Sequence, residues 1–110
     1  MLQPIFIRTV IKKEKVLKRV DPTQVARLSA VKNYTKLFLI DDTVYTVRAS
    51  LVNALKNFPP GMFVQTDRGE VVSILFIDEI AKDHLTIKGK PVPIARSYYK
   101  YVVAAINIIE

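Results

Sequence analysis

Three short stretches of this chain carry side chains whose types and spacing suit the edges and backbone of a nucleic acid. Arg68 falls in Asp67-Arg68-Gly69, a turn between two β-rich runs, with no apolar surface for its stem to cover. A guanidinium presented there can fork onto guanine O6 and N7 or onto a phosphate, although a simple solvated turn arginine fits the same pattern. Lys32 and Asn33 enter a strand from a loop. Asn can pair with adenine N6 and N7 and Lys with phosphate, unless Asn33 only supports its own turn. Arg96 and Ser97 open the last helix expected in the chain, where free N–H groups and the positive dipole end favour phosphate.

The charge distribution agrees with a polyanionic partner. Residues 1–58 hold eleven Lys and Arg against Glu14, Asp21, Asp41 and Asp42, a net of +7, whereas residues 59–110 hold six charges of each sign. A basic half beside a neutral half attracts a polyanion and releases its counterions on contact. A solvated strand face rich in lysine is the plain alternative.

Other function classes find little in the sequence. There is no cysteine, so no disulfide, thiolate zinc site or redox motif can form, which fits a cytoplasmic protein. Charged residues interrupt every hydrophobic stretch before the ~20 residues that a membrane span needs, and no signal peptide is read at the start. His84 is the only histidine, and its spacing from Asp78, Glu79 and Asp83 matches no metal-ligand pattern. Without a Gly-rich phosphate loop, a nucleophile elbow or a helical carboxylate pair, no enzyme is expected. No catalytic residue, cofactor, metal, small-molecule substrate or membrane insertion is therefore assigned.

The elements that must position these side chains read as many short strands and two helices within a single domain, 1–110, whose half-apolar composition suffices for one core. Strands are expected over Pro4 to Ile11 and Val16 to Val20, joined by the polar Lys12-Lys13-Glu14-Lys15. Asp21-Pro22 predicts a short helical turn through Gln24, with Asp as N-cap and Pro at the first position, before the chain extends from Val25 to Leu28. Tyr34 to Ile40 and Val44 to Ala49 form a hairpin about Asp41-Asp42, with Leu37 and Leu39 on one face and Lys36 on the other. Ser50 caps a helix over Leu51 to Phe58, which Pro59-Pro60-Gly61 ends. Met62 to Thr66 and Glu70 to Leu75 flank the Arg68 turn, where Gly69 permits a positive φ. Ile77 to Ala81 and Leu85 to Ile87 form another hairpin, and Pro91 to Ile94 belongs at a sheet edge. The last helix is expected from about Arg96 to Ile108, apolar nearly all round, with Arg96, Lys100 and Asn107 as its solvated stripe.

Three segments, in this order, resemble the LytTR family of DNA-binding domains. They are Ala30-Val31-Lys32-Asn33-Tyr34-Thr35-Lys36-Leu37-Phe38-Leu39, the run Phe63 to Val72, and Lys88 to Lys100 with Pro93-Ile94-Ala95-Arg96-Ser97-Tyr98 at its heart. The first resembles the family's Asn-Tyr hairpin, the second its Phe-x-Arg-x-His-Arg-Ser-x-x-Val-Asn segment, and the third its Pro-hydrophobic-Ser-Arg-x-Tyr run. The resemblance covers roughly residues 4 to 106. It implies an α+β, mainly β domain of short twisted strands and hairpins, with one short internal helix and a C-terminal helix.

By the same resemblance, the function is sequence-specific double-stranded DNA binding by a bacterial transcriptional regulator, whose loops read major grooves of promoter direct repeats and bend the DNA. Arg68 aligns with the DNA-contacting arginine of the second segment, Asn33 with a base-reaching loop position, and Arg96 with a second contacting arginine. Lys32, Lys36, Ser97 and Lys100 complete the candidate contacts. A homodimer on DNA and a regulatory protein partner remain open. Family members usually carry a receiver or membrane domain ahead of this module, so the chain is expected to act alone or to be a fragment of a larger regulator. Gln65, Asp67, Gly69 and Ser73 replace the family's Arg, His, Ser and Asn, and Ala95 replaces its capping Ser. These departures leave a second reading open, a degenerate interaction module that modulates another regulator without touching DNA.

Overall fold

A computed structural model describes residues 4–8 and 16–110. Its centre is an antiparallel sheet built from two hairpins laid side by side. The first hairpin joins β3 (Val25–Val31) to β4 (Tyr34–Leu39) and extends to β5 (Val44–Val47); the second joins β6 (Phe63–Asp67) to β7 (Glu70–Ser73). Strand β3 pairs with both β4 and β7, giving the order β5-β4-β3-β7-β6. Two smaller sheets lie apart: β1 (Ile5–Ile7) with β2 (Lys18–Val20), and β8 (Glu79–Ile80), β9 (His84–Ile87) and β10 (Lys90–Pro93). The rest of the strand expected from Pro4, and the polar link Lys12 to Lys15, lie outside the described residues.

Each face of the large sheet buries its own core. Ile5, Ile7, Val20, Val25, Leu28, Leu37, Val71 and Phe58 form one; Ala26, Val64, Val72, Leu85, Ile87, Val92, Ile94 and Val102 form the other. Strand alternation alone would send Val25 and Leu28 to opposite faces. A bulge between Val25 and Arg27 shifts the register by one, so both reach the same core. Val25, Leu28, Val72, Leu85 and Val102 are wholly excluded from solvent. Each such side chain stabilises the fold by about 1.5 to 3 kcal/mol relative to exposure.

The short elements follow their local chemistry. Asp21 caps the 3-10 turn Pro22–Gln24, accepting from the Thr23 N–H at 2.9 Å. Ser50 caps α1 (Leu51–Leu55), its Oγ accepting from the Asn53 N–H at 3.1 Å. This helix is shorter than the expected run to Phe58. Its end tightens into three-residue bonds, Asn57 N–H to Ala54 C=O and Phe58 N–H to Leu55 C=O, before the two prolines. The hairpin between β4 and β5 turns over Ile40 to Asp42, with Asp42 left-handed at φ 72°, and β10 is the edge strand expected of its prolines.

The C-terminal helix is the main correction to the sequence reading. The chain enters through a 3-10 turn at Arg96–Tyr98, and α2 covers only Tyr99–Ala104. The Ala105 N–H bonds to the Val102 C=O at 3.2 Å and closes the helix. The β-branched Ile106, Ile108 and Ile109, with Asn107 among them, add little helical propensity to extend it. Arg96, Lys100 and Asn107 therefore do not share one helical stripe. Ser97 makes no cap; Ala95 stands at the N-cap with no side-chain bond.

Candidate nucleic-acid interface

Pairing brings the separated sequence segments to one end of the large sheet. Val31 faces Tyr34 across the Lys32–Asn33 turn, and Asp67 faces Glu70 across the Arg68–Gly69 turn. Strand β3 joins the two hairpins, with Ser29 opposite Glu70 and the Ala30 N–H bonded to the Gly69 C=O at 2.8 Å. The turns are therefore neighbours. Outside β6, the Ala95 N–H bonds to the Thr66 C=O at 2.8 Å, which fixes the Arg96 junction beside the same end.

The Arg68 turn is held by the residues that depart from the family pattern. The Asp67 carboxylate accepts from the Arg68 backbone N–H at 2.6 Å, and Gln65 Nε2 donates to the Arg68 C=O at 3.0 Å. Both bonds are spent on backbone, so Asp67 does not pair with the guanidinium, and the Arg68 side chain is exposed with no carboxylate partner among the described residues. Ser73, buried, accepts from the Leu75 N–H at 3.3 Å and shapes the following turn. Gly69 does not adopt the expected positive φ. A Cβ there would stand 3.4 Å from the Ala30 Cβ, an ordinary van der Waals contact between the two hairpins.

Lys32 is left-handed at φ 55°, and both Lys32 and Asn33 are exposed. That backbone favours glycine or asparagine, and a lysine there directs a charge from the tip at some conformational cost. Lys36 sits two residues inside the edge, half-buried and paired with Ser29 and Thr46, on the face opposite Leu37. Arg96, Ser97 and Lys100 are exposed, and Ser97 and Lys100 line a shallow hollow of about 370 Å³ with Gln65, Tyr98 and Tyr101. Lys100 Nζ rests 5.3 Å from the Tyr101 ring.

Two features were not legible as part of this edge. Arg48 follows β5, whose Val47 pairs with Thr35 immediately beyond the Lys32–Asn33 turn, so it stands at the same end of the sheet. The strand signal was visible, but its placement needed the pairing register. Arg27, one of the basic-half cations, is instead consumed internally: its Nη1 lies 2.6 Å from Glu70 Oε1, its guanidinium stacks 3.8 Å over the Phe38 ring, and Ser29 Oγ also donates to Glu70. This network clips β3 to β7 one residue behind the Arg68–Gly69 turn.

Besides Asp67 and Glu70 at this edge, three acidic groups gather elsewhere. Asp41 and Asp42 occupy the opposite end of the sheet, near Asp21 through the Ile40 N–H to Gln24 C=O bond. Side-chain and backbone hydrogen bonds from Thr23 hold the Asp21 carboxyl below its ordinary value, and those from Thr43 do the same for Asp41. His84 Nδ1 lies 2.7 Å from Asp83 Oδ1, and the hydrogen bond from His84 lowers the Asp83 carboxyl; Asp78 accepts from the Lys88 N–H at 2.9 Å. Among the described residues, no three His, Cys, Asp or Glu side chains are grouped to hold a metal, and no helix is long and apolar enough to cross a membrane.

Comparison with known proteins bears on the fold and the family. A solved structure described as the LytTr DNA-binding domain of a putative methyl-accepting/DNA response regulator from Bacillus cereus superimposes with a TM-score of 0.74 at 21% identity, over 93% of this chain and 94% of that one. No curated protein matches the chain in sequence. A family model described as LytTr DNA-binding domain matches residues 15–107, most of the chain, and the protein thus belongs to that family, one of DNA-binding rather than catalytic domains.

Proposed function

We propose that residues 1–110 act as a single sequence-specific DNA-binding module of a bacterial, cytoplasmic transcriptional regulator. The observation that carries the proposal is the alignment of exposed Lys32, Asn33, Arg68 and Arg96 along one end of the five-stranded sheet. Neighbouring strands lie about 4.8 Å apart, so the two hairpin tips are separated by about 10 Å, within a major groove about 12 Å wide. In this reading Asn33 and Arg68 address base edges, while Lys32, Lys36, Ser97 and Lys100 hold phosphates and set register. Arg96 bridges the two roles at the groove wall. Successive grooves of direct repeats, read by two copies with bending of the DNA, complete the proposal. The Bacillus cereus neighbour is described as part of a response regulator, and an output role of that kind is proposed here.

A second reading, a module that modulates another regulator by protein contact, draws on the exposed apolar side chains Leu75, Tyr101, Ile108 and Ile109. The test is selection of random duplex DNA by the purified chain near physiological salt, followed by sequencing. Enrichment of spaced direct repeats is expected. No enrichment would reject the DNA reading in favour of the protein-contact one.

A further inference from the structure

Arg48 shares the properties that single out Arg68 and Arg96. Arg27 is committed to Glu70 and Phe38, and Arg19 stacks 5.0 Å over the Phe6 ring. Arg48 is exposed and has no carboxylate, hydrogen-bond or aromatic partner among the described residues. Its position is nonetheless fixed. The wholly buried Thr35 donates its hydroxyl to the Ala49 C=O at 2.8 Å, tying the bend after β5 to the strand that leaves the Lys32–Asn33 turn. The surroundings are positive as well. From Thr43 to Thr66 the chain contains no Asp or Glu, and its only charges are Arg48 and Lys56. Arg48 also lines a groove of about 480 Å³ with Arg8 and Asn57, in which no carboxylate stands among the described residues.

We infer that Arg48 is a further contact of the interface and holds a backbone phosphate of duplex DNA on the flank beyond the Lys32–Asn33 turn. The inference rests on the DNA-binding reading above and extends its footprint. Strand order decides between phosphate and base. With strands about 4.8 Å apart, Arg48, just past the end of the outermost strand, lies about 7 Å from the Lys32–Asn33 turn and about 17 Å from the Arg68 turn. The second distance exceeds the roughly 12 Å width of the major groove, so a protein whose two turns occupy the groove sets Arg48 on the sugar-phosphate wall. A guanidinium there makes a bidentate, charge-assisted contact and carries no sequence information.

The experiment compares wild type, Arg48→Ala and Arg48→Lys by fluorescence anisotropy on the selected duplex and on a scrambled duplex of equal length, across a salt series. Arg48→Ala is expected to weaken both duplexes by the same factor and to reduce the salt slope by about 0.9, the signature of one lost phosphate contact. Arg48→Lys should keep the slope and lose only part of the affinity. An unchanged slope in Arg48→Ala, or a loss confined to the selected duplex, overturns the phosphate role while leaving the DNA reading intact. Wild type that binds neither duplex overturns both.

Discussion

The two ends of the five-stranded sheet are closed by similar tight turns and carry opposite charge. At one end stand Lys32, Arg48 and Arg68, with the acids Asp67 and Glu70, the latter paired with Arg27; at the other stand Asp21, Asp41 and Asp42, and Lys88 reaches in to donate its ammonium to the Ile40 C=O. Acids close backbone at both ends. Asp21 and Asp41 accept from Thr23 and Thr43, and Asp67 accepts from Arg68. The difference lies in what is left over. At the acidic end Asp21, Asp41 and Asp42 outnumber Lys88, whereas at the basic end exposed Lys32, Arg48 and Arg68 outnumber Asp67, and Glu70 is committed to Arg27 and Ser29. The sheet is thus polar from end to end, and on the proposed reading this field orients the domain on a polyanion before any base is read.

Breaking this asymmetry should cost most at Arg68. Arg68→Ala should cost about 1 to 3 kcal/mol of DNA affinity and blur preference at one base position, with the thermal midpoint unmoved; anisotropy and repeated selection measure both. Next comes the clip behind the turn. Glu70→Ala strips the partner from Arg27 and Ser29 and should lower stability by about 1 to 2 kcal/mol in urea unfolding. Because that pair is partly solvated, a loss near zero would mean that solvent screening already offsets it.

A smaller change is expected from Asp67→Asn. The amide oxygen can still accept from the Arg68 N–H, so the turn survives while one negative charge leaves the basic end. Affinity should rise slightly and equally for all duplexes in the salt series; a loss would show that the carboxylate charge itself serves recognition. The smallest effect concerns the acidic end and pH. Hydrogen bonds lower the folded-state values of Asp21 and Asp41 below the ordinary 3.8, so their contribution to stability is full above that value and disappears as pH falls through the lowered ones. Asp41→Ala should lower the thermal midpoint at neutral pH, shrink part of the acid-dependent loss, and leave DNA affinity unchanged.

Much of the frame was legible because local chemistry determines it. The Asp21-Pro22 turn, the Ser50 cap, the Pro59-Pro60 stop and the edge placement of Pro91 and Pro93 each follow from side-chain bonding or a missing donor. Lys36 and Leu37 fall on opposite faces because strand periodicity is two. What resisted reading depends on contacts far apart in sequence. An apolar run such as Tyr99 to Ile109 suits a helix or an extended tail equally, and its length is set by where packing ends, after Val102. Arg48 joins the basic end only once Thr35 pairs with Val47. Gln65 and Asp67 read as lost positive charge in sequence, yet both bond the backbone of the turn that displays Arg68.

On the proposed reading, one end of the sheet meets DNA and the other does not. Titrating the ¹⁵N-labelled chain with its selected duplex, and following backbone amide shifts, tests this directly. The predicted result is perturbation at Lys32, Asn33, Arg68 and Arg96, with Asp21, Asp41 and Asp42 unmoved; perturbation centred on the three aspartates, or spread evenly over both ends, would contradict it.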